Sequence, residues 1–139
     1  MLLALCLASA ACGENLSDLT GPTPGLQPTF SSIQRDIFDT TDSSGHRACT
    51  QCHTGRRPAG RMNLSPGAAY ASLVGVASSA KAEAIRVIPG DPENSDLVHK
   101  LAGGPGIVGS RMPRIGPPSL TQGQMLVIRR WIELGAPNN

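Results

Sequence analysis

The sequence predicts an all-α domain of short helices and ordered Gly/Pro-rich loops, gathered around something bulkier than its own side chains. Three observations carry this. Several short stretches place apolar residues at helical spacing behind capping residues, and no stretch shows the alternating β-branched pattern of a half-buried sheet. Phe30, Phe38, Tyr70 and Trp131 are the only aromatic residues among 139, while Gly (16) and Pro (12) are abundant. A core built from so few large side chains is thin: either the domain is loop-rich and marginal, or something other than side chains, such as a large apolar cofactor, fills its middle.

The elements follow in order. "SSIQRDIFDTT" sets Ile33, Ile37 and Phe38 on one face behind a serine cap, a short amphipathic helix that ends before residue 47. "SPGAAYASLVGV" has Ser65 as a cap and Pro66 at the first helical position, with Ala69, Tyr70, Leu73 and Val74 on one face. In "VIPGDPENSDLVHKL" a Pro-Gly-Asp-Pro turn leads to a helix capped by Asn94 or Ser95, burying Leu97, Val98 and Leu101 and leaving His99 off the stripe. "GGPGIVGSRMPRIGPPS" holds five glycines and four prolines in seventeen residues, which excludes a regular helix or an interior strand. The last helix is the best defined. "LTQGQMLVIRRWIELGA" pairs Thr121 with Gln124 as a capping box, turns Leu126 or Val127, Ile128, Trp131, Ile132 and Leu134 inward, and stops at Gly135.

The chain begins with eleven apolar or small residues, too few to span a bilayer and right for the core of a signal peptide (residues 1–12). The charged start usual in such a signal is missing, so the true start is expected upstream of Met1. "SAAC" ending at Cys12 resembles a bacterial lipoprotein processing site, where a lipid joins the cysteine that becomes the new N-terminus. The competing reading is an ordinary cleaved signal whose Cys12 is lost or unmodified; Cys6 belongs to the apolar run. Residues 13–29 have no apolar period and many Gly, Pro and Thr, and read as a flexible tether spanning roughly 20 to 25 Å as a coil, leaving 30–139 as one domain. Export to the periplasm or cell envelope, with membrane attachment through Cys12, is the expected location. A net charge of +2, with no basic run beyond Arg56-Arg57, argues against a nucleic-acid partner.

"RACTQCHTGRRPAG" carries the chemistry. Cys-x-x-Cys-His is the attachment signature of c-type haem: two thiols at this separation add to the two vinyl groups of the porphyrin, and the next residue reaches the iron. Cys49 and Cys52 would form the thioethers and His53 would be the proximal ligand, in one covalent haem c. Each rival lacks a part. A structural zinc site wants four ligands, and beyond these three only His46 is near. A thioredoxin-like redox pair wants a βαβ setting, and a plain disulfide leaves His53 idle. Attachment outside the cytoplasm agrees with an export signal, and a porphyrin accounts for the thin core.

Candidates for the other face of the iron are Met62, Met112, Met125, His46 and His99. Met62 follows His53 too closely to pass round the ring easily. Met125 fits the core of the last helix, His99 a solvated flank, and His46 local bonding. Met112 lies far beyond His53 in the Gly/Pro-rich loop, where prolines can hold a side chain toward a ligand, and its thioether is a soft donor that raises the reduction potential. The alternatives are that Met112 only packs on the ring while water or a histidine takes the sixth position.

"ACTQCH", "VIPGDPENSDL", "SRMPRIG" and "WIELGA", in that order between Phe30 and Pro137, resemble the class I cytochrome c domain, most closely the bacterial single-haem planctomycete type. The resemblance implies an all-α cytochrome c-like fold with terminal helices crossing beside a buried haem, Phe38 meeting Trp131 at the crossing, His53 and Met112 as axial ligands, and electron transfer as the activity. Lys81 and Lys100 are the only lysines, a departure from the lysine-rich rim of mitochondrial-type carriers. Arg56, Arg57, Arg61 and Arg111 are candidates to neutralise haem propionates or to meet an acidic partner, or form a solvated face. The expected function is a membrane-tethered one-electron carrier or relay serving redox partner proteins, and not an enzyme. The alternative is a haem sensor or enzyme module with an open or displaceable sixth site; a third reading is a metal-binding surface domain without redox activity.

Overall fold

The computed structural model describes residues 25–42 and 45–139. The segment read as a signal, with Cys12, and residues 13–24 of the tether lie outside them. Among the described residues the helices are α1 (Phe30–Ile33), continued by a π-helical turn (Gln34–Phe38), then α2 (Ala69–Leu73), α3 (Asp96–Ala102) and α4 (Gln122–Glu133), with single 3-10 turns at Cys49–Gln51 and Ala59–Arg61. Among the described residues extended backbone pairs only at isolated bridges, Val74 with Val87, Ala77 with Ile85 and Ile88 with Asp91. No helix among them is long and apolar enough to cross a membrane.

The folded unit begins before Phe30. Leu26 is buried in the core, and the cap of α1 is Thr29, whose hydroxyl accepts from Ser32 N at 3.3 Å. The serines expected to cap this helix do other work: Ser32 Oγ accepts from Gln27 N at 3.0 Å and donates to Asp36 at 2.8 Å. The remaining first-turn donors meet the far end of the chain. Phe30 N bonds Asn139 Oδ1 at 2.9 Å and Ser31 N bonds Asn139 O at 2.8 Å, so the C-terminal tail caps the first helix. In the next turn Asp39 N reaches back to Gln34 O at 3.0 Å, the wider ring of a π-helix. One added residue per turn lets Ile33, Ile37 and Phe38 all be buried.

α4 behaves as its sequence predicts at its start. Thr121 Oγ1 accepts from Gln124 N at 3.2 Å while Gln124 Oε1 accepts from Thr121 N at 2.9 Å, the reciprocal capping box. Ile128, Trp131 and Ile132 are fully buried, but Leu126 (55% exposed) and Leu134 (52%) face outward, because the buried stripe is narrower than the apolar content suggests. Trp131 donates to Pro137 O at 2.9 Å, and Tyr70 OH donates to Ala136 O at 2.9 Å, so both aromatic residues hold the tail. The ring packed on Trp131 is that of Phe30, with centroids 5.4 Å apart, and not Phe38, which faces a cavity instead.

α2 is shorter than expected. Ser65 O accepts from Ala68 N and Ala69 N at 3.0 Å, while Gly67, at φ +81, keeps residues 66–68 out of the helix, and Ser65 Oγ bonds Thr54 Oγ1 at 2.6 Å instead of capping. α3 follows Ser95, which gives no side-chain cap; its hydroxyl accepts from Ile88 N at 2.9 Å and donates to Asp91 O at 2.7 Å, tying the Pro-Gly-Asp-Pro turn. Leu97, Val98 and Leu101 are buried and His99 is exposed.

Candidate functional site

The Cys49–Gln51 turn is closed by Gln51 N to Ala48 O (3.1 Å), and Cys52 N and His53 N both reach Cys49 O (3.2 and 3.0 Å). This turn places Cys49, Cys52 and His53 on the wall of a cavity of about 690 Å³. That lies within the roughly 300–1,000 Å³ range of cofactor pockets. Its walls are largely apolar, including Phe38, Leu64, Leu97, Leu101 and Met62. Met112 lies on the same wall system, half-buried, from the loop that follows α3.

His53 is oriented by the chain behind it. Its Nδ1 lies 2.8 Å from Ala59 O, and because a carbonyl only accepts, Nδ1 is the protonated nitrogen, which leaves Nε2 as the one that can offer a lone pair to a metal. Ala59 is itself held by its N–H on Cys52 O at 3.0 Å, and Leu64 N on His53 O at 2.7 Å closes the loop. A ligating imidazole needs this kind of partner to fix its tautomer and direction. Cys49 is half-buried with its sulfur 3.8 Å from Ile37 O, and burial pushes its thiol up to about 12, so it is protonated at neutral pH and inert as a redox nucleophile. Both cysteines are free thiols.

Met112 is anchored through its backbone to the last turn of α3. Met112 N donates to Lys100 O at 2.8 Å, Arg111 Nε to Leu101 O at 2.8 Å and Gly103 N to His99 O at 2.9 Å, which satisfies three carbonyls that a helix end leaves open. Lys100 Nζ holds the loop from the other side through Val108 O (2.9 Å) and Ser110 O (2.6 Å). The first part of the Gly/Pro-rich segment, from Gly103 to Met112, is therefore pinned to α3. Gly103 is at φ 74, ψ −177, and a Cβ there would lie 2.7 Å from Arg111 Cδ.

Of the other axial candidates, Met62 and His46 line the cavity; Met125 packs against the core and His99 is solvated, as expected for both. Arg56, Arg57, Arg61 and Arg111 are exposed and none lines the cavity, as the solvated-face reading has it; the cations that do line it are Arg47, Arg86, Lys100 and Arg114. The sequence reading singled out none of Arg47, Arg86 and Arg114, and Arg86 is the buried one of the three. It is 7% exposed, with Nη1 on Ser72 O (2.7 Å) and Nη2 on Gly60 O (3.0 Å) and Arg61 O (3.3 Å). Burial lowers its pKa, with the charge of Asp96 working the other way. An arginine between Ile85 and Val87, in an otherwise apolar run, was the available signal.

His46 also differs from expectation. Its backbone bonds locally, N–H to Asp42 Oδ1 (3.3 Å) and C=O from Asp42 N (3.2 Å), but the residue is 1% exposed and among the described residues neither ring nitrogen makes a hydrogen bond of good geometry.

Comparison of the chain with known proteins found no matching family model, no matching curated protein and no matching solved structure.

Proposed function

We propose that this chain is a one-electron transfer protein whose redox centre is a haem c attached through Cys49 and Cys52, with His53 as proximal and Met112 as sixth ligand. The observation that carries the reading is that two free thiols and an imidazole whose Nδ1 is committed to Ala59 O share one largely apolar cavity with the Met112 thioether. The donor set suits the group: soft sulfur and imidazole nitrogen are the ligands of carrier-type haem iron. When bound, a haem of this kind supplies a ferric/ferrous couple. The residues hold, orient and insulate it. The Ala59 bond keeps His53 in one tautomer, the anchoring of residues 111–112 on α3 holds the thioether side, and Phe38, Leu64 and Leu97 keep water away.

On this reading the protein is exported and lipid-anchored at Cys12, holding the domain near the membrane for redox partner proteins. A pyridine haemochrome spectrum with the mass of the protein, made in cells that mature c-type cytochromes, tests it. The expected result is one haem bound through two thioethers. A colourless protein weighing no more than its polypeptide and acyl chains refutes it. Slow or absent carbon monoxide binding to the reduced protein supports Met112 on the iron, and rapid tight binding supports a sensor or enzyme module with an open sixth site.

A further inference from the structure

We infer that His46 is a redox-linked proton site: the domain takes up a proton on His46 when it takes up its electron. The inference rests on the haem reading above and on the placement of this one side chain. A buried imidazole ordinarily has a partner for its nitrogens, since a buried polar group left unpaired costs about 1–3 kcal/mol. His46 is almost wholly enclosed, and among the described residues neither ring nitrogen makes a hydrogen bond of good geometry, the Thr40 backbone being its polar neighbour there; it lines the cavity shared by Cys49, Cys52, His53 and Met112. Nor is it loosely placed. Asp42 bonds both backbone groups of His46, and Asp42 Oδ2 in turn accepts from Gln124 Nε2 at 3.1 Å, which belongs to the capping box of α4. The fold holds a buried imidazole with little hydrogen bonding against the cavity.

The charged groups nearest His46 in its own loop are Asp42 and Arg47. Arg86, Asp96, Lys100, Arg114 and His53 line the same cavity, while the contact from α4, Gln124, is uncharged. Burial lowers the His46 pKa, and Asp42 and the Thr40 backbone offset this only in part, so the imidazole is neutral at pH 7. Reduction removes one positive charge from the iron. Two unit charges about 10 Å apart at an effective dielectric of about 20 alter each other's binding constants roughly tenfold. The step balances: a one-electron donor protein reduces ferric to ferrous iron, a proton from water joins a free His46 nitrogen, and both leave on reoxidation. The sign is definite. Protonated His46 favours the reduced state, so the potential is higher at low pH and falls as pH rises between the oxidised-state and reduced-state pKa values, on the acid side of neutrality.

The test uses holoprotein whose haem has first been verified by pyridine haemochrome. Its potential is measured by spectroelectrochemistry from about pH 4.5 to about pH 8, either side of the ordinary histidine value, for wild type and His46→Gln. Wild type is expected to fall by about 59 mV in total, the equivalent of a tenfold change in proton affinity for one electron, and the variant to be flat. A slope that survives in the variant, or a flat wild type, overturns the inference while leaving the haem reading intact. If His46→Gln does not fold, imidazole NMR titration of the wild type decides: the His46 pKa should be about one unit higher in the reduced protein. Equal His46 values in the two states overturn it. A negative haemochrome removes the haem reading and this inference together, a different failure.

Discussion

Replacing Gly103 by alanine isolates the device that places Met112. The residue sits at φ 74, ψ −177, a region open in practice to glycine alone, and adopting it with a side chain costs about 1–3 kcal/mol. The added Cβ would also meet Arg111 Cδ at 2.7 Å. Arg111 cannot simply swing away, because its Nε is bonded to Leu101 O at 2.8 Å, and a hydrogen bond from a charged donor contributes about 1.5–3 kcal/mol. Together these give a destabilisation of about 3 kcal/mol for Gly103→Ala, a large share of the stability of a small domain. Urea unfolding of the holoprotein followed by circular dichroism measures it, with the m-value unchanged if only the folded state is affected. Arg111→Ala should lose less, and adding it to Gly103→Ala should be less than additive, since the contact it relieves is already gone. A Gly103→Ala variant within about 0.5 kcal/mol of wild type would show that the backbone here is not constrained as described.

Met112→Ala is expected to keep its haem, lose the weak near-red band that ferric iron shows with thioether ligation, and have a lower potential; an unchanged band moves the ligand to Met62, which lines the same cavity. Arg86→Met should destabilise by about 3 kcal/mol or more in urea unfolding, because the carbonyls of Ser72, Gly60 and Arg61 lose a buried cationic donor, and Arg86→Lys should restore little of it. Trp131→Ala should cost about 3–5 kcal/mol, and Trp131→Phe about 1–2 kcal/mol, chiefly the lost bond to Pro137 O.

Much of the helical framework is legible without coordinates, because the interactions that make it are local. The capping box of Thr121 and Gln124 spans three positions, and the inward stripe of Leu97, Val98 and Leu101 follows from helical spacing alone. Errors fall where a local signal had a distant competitor. The serine pattern before Ile33 reads as a cap, but Thr29 and, from the far end of the chain, Asn139 satisfy that helix start. Leu26 reads as part of a tether and is packed in the core, since burial is decided by what approaches from elsewhere.

The sequence by itself determines the chemistry on offer: two thiols and an imidazole at haem-attachment spacing, a methionine set among prolines, a well-capped last helix and a shortage of large side chains. Only the tertiary structure decides which of these share a cavity and which other residues join them. Asp42 and Gln124, 82 positions apart, meet and hold His46 at the cavity; Arg86 turns its guanidinium to three carbonyls from two other segments; Phe30 displaces Phe38 as the neighbour of Trp131. Spacing along a chain governs what neighbouring groups can do together, while long-range packing sets the burial and company of each side chain.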